Sequence, residues 1–280
     1  MKALTLNIHS HSNEHNEYDY HHMIRTFSNY IIKQKIDVIA IQESCQTGTK
    51  EQVMKEELSS FIPCQEGVTI TNDNCAWLIV KEAEKKGVNF YWTWCQAKLG
   101  YSKYDEGLAI LSRYPILQTE EAYISRSHDF YNWKTRKILG CEILIESKIQ
   151  WFYSVHMGWW QDEEENFISQ MLRVQKIVEN KKENVFLMGD FNSPSHVRGE
   201  GYDYIKANKW KDTYELALEK DNGITVPGMI DGWKQGVDQG MRIDYIWSKQ
   251  SISVASSKIM FSGNTEPVIS DHFGVCITII

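Results

Sequence analysis

Seven times along the chain, a short apolar run ends on, or begins beside, polar groups that can carry chemistry. "LTLNIH" ends in Asn7 and His9, "VIAIQE" in Gln42 and Glu43, "YSVH" in His156 and "LMGDFN" in Asp190 and Asn192. "RIDYIW" carries Asp244, "SDHFGV" presents Ser270, Asp271 and His272, and "YDEGLAILSR" sets Glu106 before its apolar run. Runs this short and this rich in β-branched and aromatic residues read as buried strands. Side chains alternate along a strand, so Asp190 and Asn192 are expected to share one face, with Phe191 opposite. Pro194 stops a central strand at that point. Each polar end also has a plain structural reading: an Asx turn at Asp190, a solvated strand end at Glu43, a core histidine at His156. Strand ends of one sandwich converge on one rim, and seven together predict a single polar cluster.

Amphipathic helices separate the strands. Residues 19 to 35 place Met23, Ile24, Phe27, Tyr30 and Ile31 at helical spacing, and Lys50 to Phe61 reads as a second helix. Asn74 to Lys86 reads as a third, stopped by Gly87, and Glu163 to Asn180 as a fourth with Phe167, Met171, Val174, Ile177 and Val178 inward. A short helix is expected near Tyr202 to Asn208. Strands are expected at "KALTLNI", "DVIAIQE", "NFYWTW", "LAILSR", "KILGCEILIE", "QWFYSVH", the run before Asp190, "RIDYIW", "ISVASSKIMF" and "GVCITII". Much of the later half is strand next to strand, which implies antiparallel pairing. The fold class is therefore α/β: two packed mixed sheets with helices on their outer faces. No repeat, low-complexity tract or Pro/Gly/Ser linker divides residues 1–280, so one domain is expected.

The predicted cluster is rich in oxygen: the carboxylates of Glu43, Asp190, Asp244 and Asp271 and the amides of Asn7 and Asn192. Such donors suit Mg²⁺ or Mn²⁺ better than zinc. His156 and His272 add groups that ionise near neutral pH and can move protons. A phosphate would be repelled by these carboxylates unless a cation neutralised them. Metal-dependent hydrolysis of a phosphate ester is the chemistry that satisfies all of these groups.

Bulk properties narrow the partners. A formal net charge of −7 opposes sequence-blind binding to DNA or anionic membrane. The N-terminus "MKALTLNIHS" lacks the apolar region of an export signal, and no apolar run is long enough to span a membrane. The six cysteines (Cys45, Cys64, Cys75, Cys95, Cys141, Cys276) form no CxxC pair and read as reduced thiols. A cytoplasmic protein is expected. "HSHSNEHNEYDYHH" fits no metal-ligand spacing and reads as a loop entering a helix.

The ordered set "LN", "IQE", "EGLAILSR", "SVH", "GDFN", "RIDYIW" and "SDH" resembles the endonuclease/exonuclease/phosphatase (DNase I-like) superfamily over Asn7 to His272. The resemblance implies a four-layer α/β/β/α sandwich of mainly antiparallel sheets with a Mg²⁺ site at one rim. It implies Glu43 as the principal metal ligand, with Asn7 and Asp271 beside it. Asp190 and Asn192 would align or deprotonate the attacking water, with Asp190 favoured over His272 as the base. His272, oriented by Asp244, would handle a second proton and bind phosphate, and His156 beside Glu106 would stabilise the pentavalent phosphorus or assist the leaving oxygen. One departure is His9, where nuclease members often carry an acidic residue.

Three further segments bear on the substrate: "YNWKTRKILG", "HMGWWQDEEE" and "SHVRGEGYD". Indole faces stack on sugar rings or bases, and Arg forks hold phosphate oxygens in pairs. These loops resemble a branch of the superfamily whose members act on sugar phosphates, maltose 6′-phosphate among them. In that reading Arg136 clamps the phosphate, Trp159 or Trp160 stacks on a sugar ring, and Arg198, Glu200 and Asp231 bond hydroxyls. The expected partner is a small sugar phosphate, with neither nucleic acid nor membrane. The competing class is a nuclease of the same fold acting on apurinic or blocked DNA ends, though the acidic run Asp162 to Glu165 opposes a basic track beside the tryptophans. A binding module that lost its chemistry is disfavoured by the full acidic and histidine complement.

Overall fold

In the computed structural model, residues 1–10, 17–230, 232, 233 and 239–280 are described. In chain order the elements are β1 (Lys2–Asn7), α1 (Glu17–Lys33), β2 (Val38–Gln42), α2 (Cys75–Glu84), β3 (Tyr91–Gly100), β4 (Tyr104–Ser112), β5 (Ile116–Tyr123), β6 (Lys137–Ile145) and β7 (Lys148–His156). They continue with α3 (Phe167–Val178), β8 (Asn184–Asp190), α4 (Gly201–Ala207), β9 (Lys211–Asp212), α5 (Thr213–Leu216), β10 (Ala217–Lys220), β11 (Asp244–Ser248), β12 (Val254–Met260) and β13 (Gly274–Ile279). The strands form two mixed sheets, one ordered β10-β12-β13-β1-β2-β4-β3 and the other β5-β6-β7-β8-β11-β9.

Strand alternation builds the layers. In β1 and β2, Leu4, Leu6, Ile39 and Ile41 face α1 and α2, packing on Met23, Phe27, Ile31, Ala76 and Ile79. Their neighbours Ala3, Val38 and Ala40 face the other way and meet Phe152, Phe186, Met188 and Ile246 of the second sheet. On that sheet's outer side, Tyr153, Val155, Val185, Leu187, Tyr245 and Trp247 pack under Phe167, Met171 and Val174 of α3 and Tyr202 and Ile205 of α4. Three apolar layers separate helix, sheet, sheet and helix, which is the expected α/β/β/α sandwich of DNase I-like type. Toward one rim the layer between the sheets turns polar. Gln42 Nε2 donates to Ser154 Oγ at 2.9 Å, and Thr5 Oγ1 donates to Gln42 Oε1 at 3.2 Å.

Helix caps follow the sequence at two sites. Asn74 accepts from Trp77 N at the start of α2, and Gly87 takes φ 73° just past that helix. Asn166 accepts from Ser169 N, so α3 starts at Phe167 rather than near Glu163. The helix expected from Lys50 to Phe61 is not formed. Val53 N instead donates to Ile70 O, Gln52 bridges Thr71 and Phe61 bridges Trp92, leaving one 3₁₀ turn at Lys55–Glu57. These long-range backbone pairings offer more partners than an isolated short helix, so local propensity gives way. β5 was not expected, because "ILQTEEAY" is a sheet-edge strand with a largely solvated, glutamate-rich surface. Part of the histidine-rich stretch, residues 11–16, lies outside the described residues.

Candidate active site

Register places three of the predicted groups side by side. β7 runs parallel to β8 with His156 opposite Asp190, and β11 runs antiparallel to β8 with Asp244 opposite the same Asp190. Phe152, Phe186, Met188 and Ile246 lie between the sheets, and His156, Asp190 and Asp244 share their parity, so all three end the strands on the inner face. Gly189 makes this crossing possible. It sits at φ 148°, and a Cβ there would stand 1.9 Å from Val155 O, so no larger residue fits the parallel pair.

His272, just ahead of β13, sets its Nδ1 2.9 Å from Asp244 Oδ2, and its Nε2 lies 3.8 Å from Asp190 Oδ2. His156 Nε2 approaches the same Asp190 oxygen at 3.6 Å. Burial and then the nearby Asp244 carboxylate push Asp190 up to about 7. Burial opposes charge on His272, but Asp244 outweighs it and holds the imidazolium up to about 10. His156 goes the other way: burial and the cations Arg136 and Lys98 drive it well below the usual histidine range. The cluster therefore pairs a carboxylate able to take a proton near neutral pH with one cationic and one neutral imidazole. Asn192 N donates to Asp190 Oδ1 at 2.8 Å, its amide donates to Met157 O, and its Oδ1 accepts from Trp233 Nε1 at 3.1 Å.

The facing sheet contributes Asn7 and Glu43. Asn7 follows the parity of Ala3 and Thr5, so its amide reaches across the sandwich and donates to Glu43 Oε1 at 2.9 Å and Asp190 Oδ2 at 3.3 Å. Glu43 has the parity of Ile39 and Ile41 and would point at the helices. A left-handed backbone at φ 50° turns it to the rim instead. His9 and Asn192 adopt the same region at φ 45° and 44°. Three non-glycine residues held there cost on the order of 1–3 kcal/mol each, a strain that gathers where geometry serves function.

A divalent cation fits this corner. Glu43, Glu106 and His156 bring donor atoms within 4.8 Å of one another, and burial, then the field of Glu106, pushes Glu43 up. Glu43 and Asp271 are hard oxygen donors suited to Mg²⁺ or Mn²⁺. Asn7 presents its amide nitrogen to Glu43, so ligation through its Oδ1 requires the amide to turn over. His9 has both ring nitrogens engaged, Nδ1 with Asp271 and Nε2 with Tyr101. Burial opposes its charge, but the 3.0 Å contact with Asp271 and the field of Glu43 raise it to about 9, and the same pair holds Asp271 down to about 2.

These groups line one cavity of about 320 Å³, closed on its other sides by Lys98, Tyr101, Trp133, Arg136, Trp159, Ile230 and Gly232. Asp244 stands behind it, and its carboxylate meets His272 Nδ1. Arg136 is 4% exposed; its Nη1 donates to Trp133 O at 3.0 Å, its Nε has no acceptor, and no carboxylate pairs with it among the described residues. Its guanidinium lies 6.0 Å from the Trp159 ring. Trp133, 54% exposed, meets Trp159 edge-on at 5.8 Å.

Several expected groups fall elsewhere. Trp160 packs on Phe167 of α3 and Tyr204 of α4 and does not line the cavity. Arg198 is largely solvated and pairs with Asp203 at 2.7 Å, and Glu200 caps α4; neither lines the cavity. Asp231 lies outside the described residues. Lys98 and Tyr101 were missed. β3 extends past "NFYWTW" to Gly100, and the tight turn to Tyr104 pairs Lys98 with Glu106. Counting back from the turn glycine in "LGYSKY" would have exposed that pairing.

The rim cluster, its strand register and the four-layer sandwich define a DNase I-like hydrolase scaffold. The chain belongs to the Endonuclease/Exonuclease/phosphatase family, whose model matches residues 4–272, a family of hydrolases that commonly use divalent metals. Among solved structures, it is similar to an endonuclease/exonuclease/phosphatase family protein from Leptotrichia buccalis at 29% identity and TM-score 0.85, covering 100% of this chain and 99% of that one. The fold is shared with a mannosyl-6-phosphatase of Bacteroides thetaiotaomicron, at 14% identity and TM-score 0.66 over 100% and 99% of the two chains. TDP2 from C. elegans shares it at 15% identity and TM-score 0.60, over 100% of this chain and 74% of that one. No curated protein matches the chain. No helix among the described residues is long and apolar enough to cross a membrane.

Proposed function

We propose that the protein is a metal-dependent phosphomonoesterase acting on a sugar phosphate, with maltose 6′-phosphate as the leading substrate and a cytoplasmic location. One observation carries the reading: a buried guanidinium with no carboxylate partner among the described residues opens into the acidic cavity beside two indoles. A buried cation is costly unless an anion meets it, and the fork geometry of arginine suits phosphate oxygens. The exposed Trp133 face beyond it suits a sugar ring. A mannosyl-6-phosphatase on the same fold agrees with this class of substrate.

The site's residues then divide the work. Glu43, Asp271 and, with its amide turned, Asn7 would hold Mg²⁺. The cation supplies charge neutralisation and Lewis-acid polarisation of the phosphate. Asp190 Oδ2 accepts a proton from the attacking water, favoured by its value near 7. His272, kept cationic by Asp244, donates to a phosphoryl oxygen as negative charge builds there. His156 is neutral and sits between Asp190 and Glu43, where it steadies the transferring phosphoryl group. Arg136 anchors the phosphate, so water attacks in line, the bond from phosphorus to the sugar oxygen breaks, and that oxygen leaves as the alcohol with a proton taken from solvent.

The direct test measures phosphate released from maltose 6′-phosphate with Mg²⁺ and then with EDTA, alongside glucose 6-phosphate and abasic-site DNA. Release from the disaccharide phosphate, abolished by EDTA while DNA stays intact, is the expected result. Nicked DNA without phosphate release overturns the substrate class and leaves the metal-dependent site. Arg136→Ala is expected to raise KM on the order of 10- to 100-fold, the worth of a charge-assisted hydrogen bond. Arg136→Lys should recover part of the loss, since it keeps the charge without the fork. Unchanged kcat/KM for every phosphate ester tested would remove the clamp.

A further inference from the structure

Besides the histidines, two buried basic side chains face the cavity. Lys98 is 6% exposed and Arg136 4%, and both line the same wall. They lie close enough to repel: after burial itself, the field of Arg136 is the main force lowering the Lys98 ammonium. Lys98 has one carboxylate, Glu106, at 3.1 Å, and Arg136 has none among the described residues. Glu106 is in ion-pair contact with Lys98, and its field is also the largest attraction on Arg136. Gly100 leaves the space it occupies, because a Cβ there would come within 2.9 Å of Glu106 Oε2. Arg136 thus stands out of water with no carboxylate in direct contact among the described residues, held by the field of Glu106, Glu43 and Asp190. Such an arrangement is tolerable only when an anion completes it.

We propose that Lys98 and Arg136 together form a dianion subsite that selects terminal phosphate monoesters over phosphodiesters, with Lys98 as the specificity-determining member. A terminal phosphate carries up to two negative charges near neutral pH and offers three free oxygens, enough for both cations. A diester carries one charge, leaves a buried cation unmatched, and must lay its second ester arm against an ammonium or guanidinium. The resulting penalty excludes diesters by desolvation rather than by shape. The inference rests on the phosphomonoesterase reading and adds the physical origin of its selectivity.

p-Nitrophenyl phosphate and bis(p-nitrophenyl) phosphate share a leaving group and differ in charge, so their kcat/KM ratio isolates the effect. Lys98→Met is expected to lower kcat/KM for the monoester about 10- to 100-fold, mostly through KM, the range of a hydrogen bond to a charged group. The diester should change by less than about threefold. Lys98→Arg keeps the charge and should hold the ratio near that of the unaltered protein. Calorimetric binding of inorganic phosphate to the Mg²⁺-loaded protein should weaken in Lys98→Met by the same factor as the monoester. An equal fall for both substrates, with phosphate binding unchanged, would make Lys98 a mere support for Glu106 and overturn the proposal. An unaltered protein that hydrolyses the diester in preference would overturn the phosphomonoesterase reading along with it. A monoester preference that survives Lys98→Met would sink the dianion subsite alone.

Discussion

Asp190→Asn is expected to lower kcat for phosphate release by about 10²–10⁴-fold, the usual contribution of a placed proton acceptor, with the melting temperature nearly unchanged. Asparagine is isosteric and still accepts from Asn192 N through its oxygen, so the turn after β8 is kept. What is lost is the carboxylate at the meeting point of the site, 3.6 Å from His156 Nε2 and 3.8 Å from His272 Nε2. His272 cannot take over as base, because Asp244 holds it protonated up to about 10. His156, driven low by burial, is a weak acceptor at neutral pH. The measurement is single-turnover phosphate release at saturating substrate and Mg²⁺. A loss smaller than about tenfold would move the base away from Asp190 and reopen the assignment of both histidines.

Asp212→Ala should cost about 3–5 kcal/mol of stability, the penalty for stranding one partner of a buried ion pair. Asp212 is 3% exposed and meets Arg242 Nη1 at 2.8 Å. It also accepts from Tyr202 Oη at 2.8 Å and from Tyr214 N at 3.0 Å, where it caps α5. Arg242 lies over the rings of Tyr202, Tyr214 and Tyr245, so its charge has no easy route to water once Asp212 is gone. Urea denaturation should show a lower midpoint. The double variant Asp212→Ala/Arg242→Met should recover much of the loss, because it removes the uncompensated charge. A single variant as stable as the parent would mean that water reaches Arg242 and that the pair contributes little.

The sequence by itself determined the layered α/β class and which strand ends carry polar groups, but neither the strand order nor β5. Strand parity is local: once "VFLMGD" is a strand with Phe186 and Met188 inward, Asp190 must follow them, and His156 and Asp244 obey the same rule on β7 and β11. Local reasoning failed wherever the backbone left that rule or a distant partner outbid it. Glu43 reaches the site only through a left-handed turn, since its parity points to the helices. The segment from Lys50 to Phe61 traded its helical periodicity for bridges to Thr71 and Trp92. Lys98 became a site residue by pairing across a hairpin, and Trp160 left the site for the core under α3. Tertiary structure also decided which charges lack partners, because compensation depends on what burial brings within reach. Nothing in "WKTRK" sets Arg136 apart from its basic neighbours; folding pairs Lys134 with Asp162 and Lys137 with Glu121, and leaves Arg136 facing the cavity without an ion pair among the described residues.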